Sequence, residues 1–207
     1  MTFKTGILAA AIALAIQSTG VAHAQAASVT VKVDVKEMKV QQQQSPQISA
    51  SNVTDKRWKP KNWLEVDLAF DAKKAQKPGD RSPFVESLDV KFYVALNKQD
   101  ATGKHILLTA NATFMNASVK DLNHAMMFAP PPALSRLLEK PEFSNADVKG
   151  YGVEISAGDG IAGFYSSIGG RFWEKIENFA VTDGVLLPKA KTPFSVLWGD
   201  YDLESKQ

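Results

Sequence analysis

The chain has 207 residues, 44% of them hydrophobic, which suits one packed domain and excludes a disordered chain. Its 24 basic and 22 acidic residues nearly cancel, so no global field draws it onto nucleic acid or an anionic membrane, and a charged partner would need a local patch. Cysteine is absent, which removes disulfides, thiolate metal sites and cysteine nucleophiles together.

The N-terminus carries Lys4, then the apolar run Ile7 to Ile16, then a polar segment ending in Ala22-His23-Ala24. These are the charged, apolar and small-residue parts of a secretory signal peptide, expected over residues 1–24. Cleavage is expected after Ala24, with Ala26 as the neighbouring alternative, and a single exported domain is expected over residues 27–207. Ten apolar residues fall short of the roughly 20 that cross a hydrocarbon core, so no transmembrane segment is expected in the mature chain. A pilin-type leader, whose apolar helix is kept as an assembly stalk, is the competing reading.

After this segment Val29, Val31, Val33 and Val35 alternate with polar residues, and the alternation slips near Glu37 before Met38 and Val40 resume it. That pattern is a strand with a bulge. Gln41 to Gln44 followed by Ser45-Pro46 has no apolar period and reads as a solvated connection crossing from one sheet to another. Leu64, Val66, Leu68 and Phe70 then alternate with Glu65, Asp67, Ala69 and Asp71, a strand whose acidic outer face is expected in solvent. Lys77-Pro78-Gly79-Asp80 makes a turn.

The strongest alternation follows, with Leu88, Val90, Phe92, Val94 and Leu96 on one face. Turn residues between Asn97 and Lys104 lead to Ile106, Leu108, Ala110, Ala112 and Phe114, so the two strands form a long antiparallel hairpin. Asn123 to Ala129 reads as a short strand stopped by Pro130-Pro131-Pro132, and Ala133 to Lys140 as the one helical stretch, ended by Pro141. Val148 to Ile155 alternates again, Gly158-Asp159-Gly160 turns the chain, and Ile161 to Ser166 pairs back. A glycine and aromatic segment runs from Gly169 to Phe179. Val185-Leu186-Leu187 precedes Pro188, and a last strand is expected from Phe194 to about Leu203, with Asp200, Asp202 and Glu204 on a solvated face. Short, closely spaced strands without strand-helix alternation give an all-β fold, a two-sheet antiparallel sandwich with one short helix.

Little in this pattern points to catalysis. Only His105 and His124 remain after cleavage, and they do not lie at helical metal-ligand spacing. No GxSxG elbow, Walker loop, dinucleotide fingerprint or EF-hand loop occurs. The expectation is therefore a non-enzyme with no catalytic residues, no cofactor and no metal. A hydrolase built on two carboxylates is the outlying alternative, because their spacing in space is not written in their spacing in sequence.

Two local patches are candidates for a partner or glycan surface. In the first, Lys56, Arg57, Lys59 and Lys61 surround Trp58, which suits anionic glycan, sulfate or a partner's acidic surface through charge and cation-π contact. The competing reading is an exposed loop whose tryptophan folds onto the sandwich. In the second, Arg171, Phe172 and Trp173 follow paired glycines, as a sugar-stacking platform or as the closure of one end of the core.

Lys91-Phe92-Tyr93-Val94-Ala95-Leu96, His124-Ala125-Met126-Met127-Phe128 running into the prolines, and Thr192-Pro193-Phe194 with Trp198-Gly199-Asp200-Tyr201 carry a family resemblance. In these motifs the chain resembles the pilus-like secreted proteins of mucin-dwelling Verrucomicrobia, the Akkermansia type. The resemblance implies an immunoglobulin-like β-sandwich, exported to the periplasm, the outer membrane or the cell surface, and it supplies no catalytic residues. The chain departs from ordinary pilins in its leader and from antibody-type domains in lacking the cysteine pair. The expected function is a non-catalytic interaction or adhesion module of the envelope or surface, partnered by an envelope or pilus-associated protein. A carbohydrate-binding module for host, mucin or envelope glycans is the alternative. Oligomeric state and the identity of the partner are not legible at this stage.

Overall fold

The computed structural model describes residues 31–49, 51–52, 54, 56–75 and 81–206. The expected signal peptide and the Lys77 to Asp80 turn lie outside the described residues. One sheet contains β1 (Val31–Gln44), β2 (Asn62–Lys74), β5 (Asn123–Ala129) and the two-residue β9 (Leu187–Pro188), in the order β1-β2-β5-β9. The other contains β3 (Phe84–Gln99), β4 (His105–Ser118), β6 (Val148–Ala157), β7 (Gly160–Ser166) and β8 (Phe179–Asp183), in the order β7-β6-β3-β4-β8. The helix α1 spans Pro131–Leu138, with Pro131 in its first turn, where a missing N–H costs nothing, and Leu134 and Leu138 buried. The fold is an all-β two-sheet sandwich with one short helix.

The core lies where the alternation places it. Leu88, Val90, Phe92, Val94 and Leu96 on β3 meet Leu64, Val66, Leu68 and Phe70 on β2 across the sandwich, and all are at most 1% exposed. Phe92 and Phe114 pack edge to face within this layer at 6.2 Å, the geometry aromatic quadrupoles prefer. Asn123 is buried at the start of β5 and closes the β4 to β5 connection: its Nδ2 donates to the Ser118 and Asp121 oxygens, and its Oδ1 accepts from Ser118 N at 2.7 Å.

Three expectations are corrected. Gln41 to Gln44 is strand, not a solvated connection: the run continues β1, with Gln44 opposite Asn62, and β1 and β2 are neighbours in one sheet. An edge strand needs apolar residues on one face only, and β2 supplies the backbone partners here, so a polar run still forms ladder. The segment from Phe194 to Leu203 is not a strand. Thr192 caps a 3-10 turn over Pro193–Val196, Trp198 takes a positive φ of 52°, and turns follow to Asp202. Finally, β8 joins β4 in parallel, His105 opposite Phe179 through Thr109 opposite Asp183, in an otherwise antiparallel pairing.

A recess on the outer face of the first sheet

The β1 bulge decides which residues reach the outer face of the first sheet. Before it, Val33 faces the core; the register then shifts between Val35 and Glu37, and Met38 faces the core instead. Odd-numbered residues after the bulge therefore point outward, which places Gln41 beside Glu65 and Lys39 beside Asp67. On β5 the same alternation sends His124, Met126 and Phe128 outward, with Met126 opposite Asp67.

The C-terminal segment lies across this face. Phe194 stacks on Phe128 at 4.4 Å, meets Trp63 edge-on at 5.5 Å and stacks on Trp198 at 6.1 Å, forming a second, smaller hydrophobic cluster outside the main core. Lys189 and Asp202 pair with side chains only 9% exposed, and Lys189 Nζ also donates to the Trp198 backbone oxygen at 3.1 Å. Asp202, expected on a solvated strand face, is thus half of a buried ion pair. These contacts leave a recess of about 240 Å³ lined by Gln41, Gln43, Glu65, Asp67, Met126, Trp198 and Tyr201.

The polar groups of the recess fall into two sets. Asp67 accepts from His124 Nδ1 at 2.9 Å and from the Tyr201 hydroxyl at 2.7 Å, so both of its oxygens are held, and the His124 and Tyr201 rings lie 4.1 Å apart. Desolvation, followed by the hydrogen bond to Asp67, raises the Tyr201 hydroxyl well above the ordinary phenol range, so it stays a donor. Glu65 is 4% exposed and accepts from Gln41 Nε2 at 2.8 Å. Burial, with the Asp67 charge adding to it, raises the Glu65 pKa against the opposing Gln41 hydrogen bond. The acidic face of β2 is therefore covered and networked at Glu65 and Asp67, contrary to the solvated face expected for it. The cause is the C-terminal segment, which the alternation of β2 alone does not announce.

A family model matches residues 24–207. A crystal structure of a protein from Akkermansia muciniphila is similar with a TM-score of 0.72 at 26% identity, covering 86% of this chain and 94% of that one. The chain belongs to this pilus-like, Akkermansia-type family. No curated protein matches the sequence. Two of the motifs by which the chain resembles the family meet at the recess: Met126 from one and Trp198 and Tyr201 from the other line it, with His124 and Phe194 packed beside them, while Lys91 to Leu96 lies on β3 in the other sheet. Read along the chain these two are fold signatures; in space they frame a concave surface.

The two patches marked from sequence sit on different sheets. Arg57, Trp58, Lys59 and Lys61 are exposed in the connection leading into β2, with Trp58 at 48% and Lys59 only 3.9 Å from Glu142. Trp173 instead is 5% exposed and stacked on Tyr93 at 4.7 Å with an interplanar angle of 5°. Its ring needs Gly152 beneath it, where an added Cβ would stand 2.2 Å from a ring carbon. Arg171 pairs with Glu174 at 2.8 Å and Glu154 at 3.5 Å. In this patch aromatic packing covers the outer face of the second sheet, leaving Trp173 no free face for a sugar. His105 lies away from the recess, its Nε2 2.8 Å from Lys149 Nζ. Among the described residues no cluster of histidine, aspartate and glutamate has metal-binding geometry, and no helix is long and apolar enough to cross a membrane.

Proposed function

We propose that the protein is an exported, non-catalytic interaction module of the cell envelope or surface, and that it contacts a protein partner through the outer face of its first sheet. The observation that carries this reading is the recess, in which Trp198 and Tyr201 are 41% and 44% exposed while the residues behind them are locked by the Lys189 to Asp202 pair and the Asp67 network. Large rings held on a fixed frame supply contact area at little entropic cost, the trait that marks protein-binding anchors. The polar groups support recognition over chemistry, since both Asp67 oxygens are engaged and Tyr201 is held as a donor. Membership of a pilus-like family agrees with an envelope setting. Crosslinking in the native envelope should recover a reproducible protein partner through residues near Trp198, and recovery of the free monomer alone would overturn the reading.

A second reading, a glycan-binding module, is favoured by the Gln41 and Gln43 amides beside the Trp198 ring and by exposed Trp58. Replacing Trp58 and Trp198 by Ala should abolish retention on mucin glycans if it holds, and unchanged retention by both variants would remove it.

A further inference from the structure

We infer that the recess receives one cationic side chain, lysine or arginine, presented by a partner protein. This rests on the interaction-module reading and names the chemistry of the contact. The first support is Glu65, a buried carboxylate whose described partner is a neutral amide. Gln41 holds one oxygen, and among the described residues no group donates to the other and no cation pairs with it. The second oxygen opens to the recess; a carboxylate largely withdrawn from water without a counter-charge is costly, and a cation entering there offsets that cost.

The second support is local charge. Around the opening, Glu37, Glu65 and Asp67 face one cation, Lys39, which binds Glu37 at 2.7 Å, leaving an excess of two negative charges on this face. Lys189 is spent on Asp202 inside the molecule. The third is the pair of exposed rings, Trp198 and Tyr201, lining the same recess as the carboxylates. Aromatic faces beside carboxylates recognise ammonium and guanidinium groups through cation-π attraction and charge. A volume of about 240 Å³ admits one side chain but not an extended glycan, and a neutral sugar would leave the Glu65 charge uncompensated.

The test is a titration of the full exported chain followed through its tryptophan indole N–H resonances. The sequence has four tryptophans, and buried Trp173 and half-buried Trp63, packed on Phe194, report whether the fold is intact. A tetralysine peptide should shift Trp198, salt should weaken the binding, and the peptide with acetylated lysines should leave Trp198 unmoved. Glu65→Gln should weaken binding about tenfold. Trp198→Ala, on an exposed turn, is the second variant, with the Tyr201 ring as its reporter, and should also weaken binding. An equal response to the acetylated peptide, an undiminished response in Glu65→Gln, or a Trp198 shift produced by N-acetylglucosamine disaccharide but not by tetralysine would each overturn the inference. A partner captured by crosslinking while tetralysine leaves Trp198 unmoved would overturn this inference alone and leave the module reading standing.

Discussion

Glu65 shows how a residue's position on a strand fails to fix its environment. Alternation puts it on the outer face of β2, where a carboxylate ordinarily meets water; the covering C-terminal segment makes it one of the few buried charged residues of the described chain. Its pKa in the folded state is raised by burial above the ordinary value of 4.5. The folded chain therefore binds this proton more tightly than the unfolded chain does. The stability so conferred is complete below the ordinary glutamate value and is lost as pH rises through the raised folded value. Glu65→Gln has no such proton to lose. The stability of the wild type relative to Glu65→Gln, measured by urea unfolding, should fall as pH is raised from about 4 to about 7. Parallel pH profiles for the two proteins would mean that Glu65 is solvated after all.

At the scale of elements, the segment from Lys189 to Asp202 behaves as a clamp made without regular strand. Its two short 3-10 turns place Phe194 against Phe128 and Trp63, and the Lys189 to Asp202 pair fixes its two ends to each other. Removing one member of a buried pair strands the other charge, so Asp202→Ala should cost about 3 to 5 kcal/mol. Lys189→Met combined with Asp202→Leu strands none and should lie near the wild type, because an apolar pair of similar volume replaces the ions. Urea unfolding of the single and double variants measures both. A single variant within about 1 kcal/mol of wild type would show that the clamp is held by its aromatic contacts instead. The same segment explains why the recess was not legible from sequence. Asp200, Asp202 and Glu204 recur at period two as one face of a strand would, and nothing local reveals that Trp198 adopts a positive φ or that Asp202 has a lysine thirteen residues upstream as its partner.

For the whole molecule, legibility followed the source of the stabilising contacts. Where one face of a strand is buried, period-two alternation is forced by the core, and β2, β3, β4 and β6 could be read with their inward residues correct, while β5 could be read as a strand. Even the β1 bulge was visible, since the core demanded that the valine pattern slip. Where a segment is held by backbone pairing to a neighbour distant in sequence, as in Gln41 to Gln44, β8 and the C-terminal tail, side chains carry no comparable signal. The tail joins the two sheets by such pairing, with Leu203 packed against the core. Leu203 N donates to His124 O at 2.8 Å in the first sheet, while Met115 N donates to Glu204 O at 2.9 Å and Lys206 N to Thr113 O at 2.8 Å in the second. Ending the chain at Asp202 removes these three backbone hydrogen bonds, which at about 0.5 to 1.5 kcal/mol net each amounts to roughly 1.5 to 4.5 kcal/mol. It also uncovers the β4 edge around Phe114, and an open edge recruits strands from other chains. The shortened protein should therefore unfold at lower urea and self-associate in light scattering. Wild-type stability in a monodisperse truncated chain would show that the core alone holds the sheets together, since neither the stitch nor the edge cover would then matter.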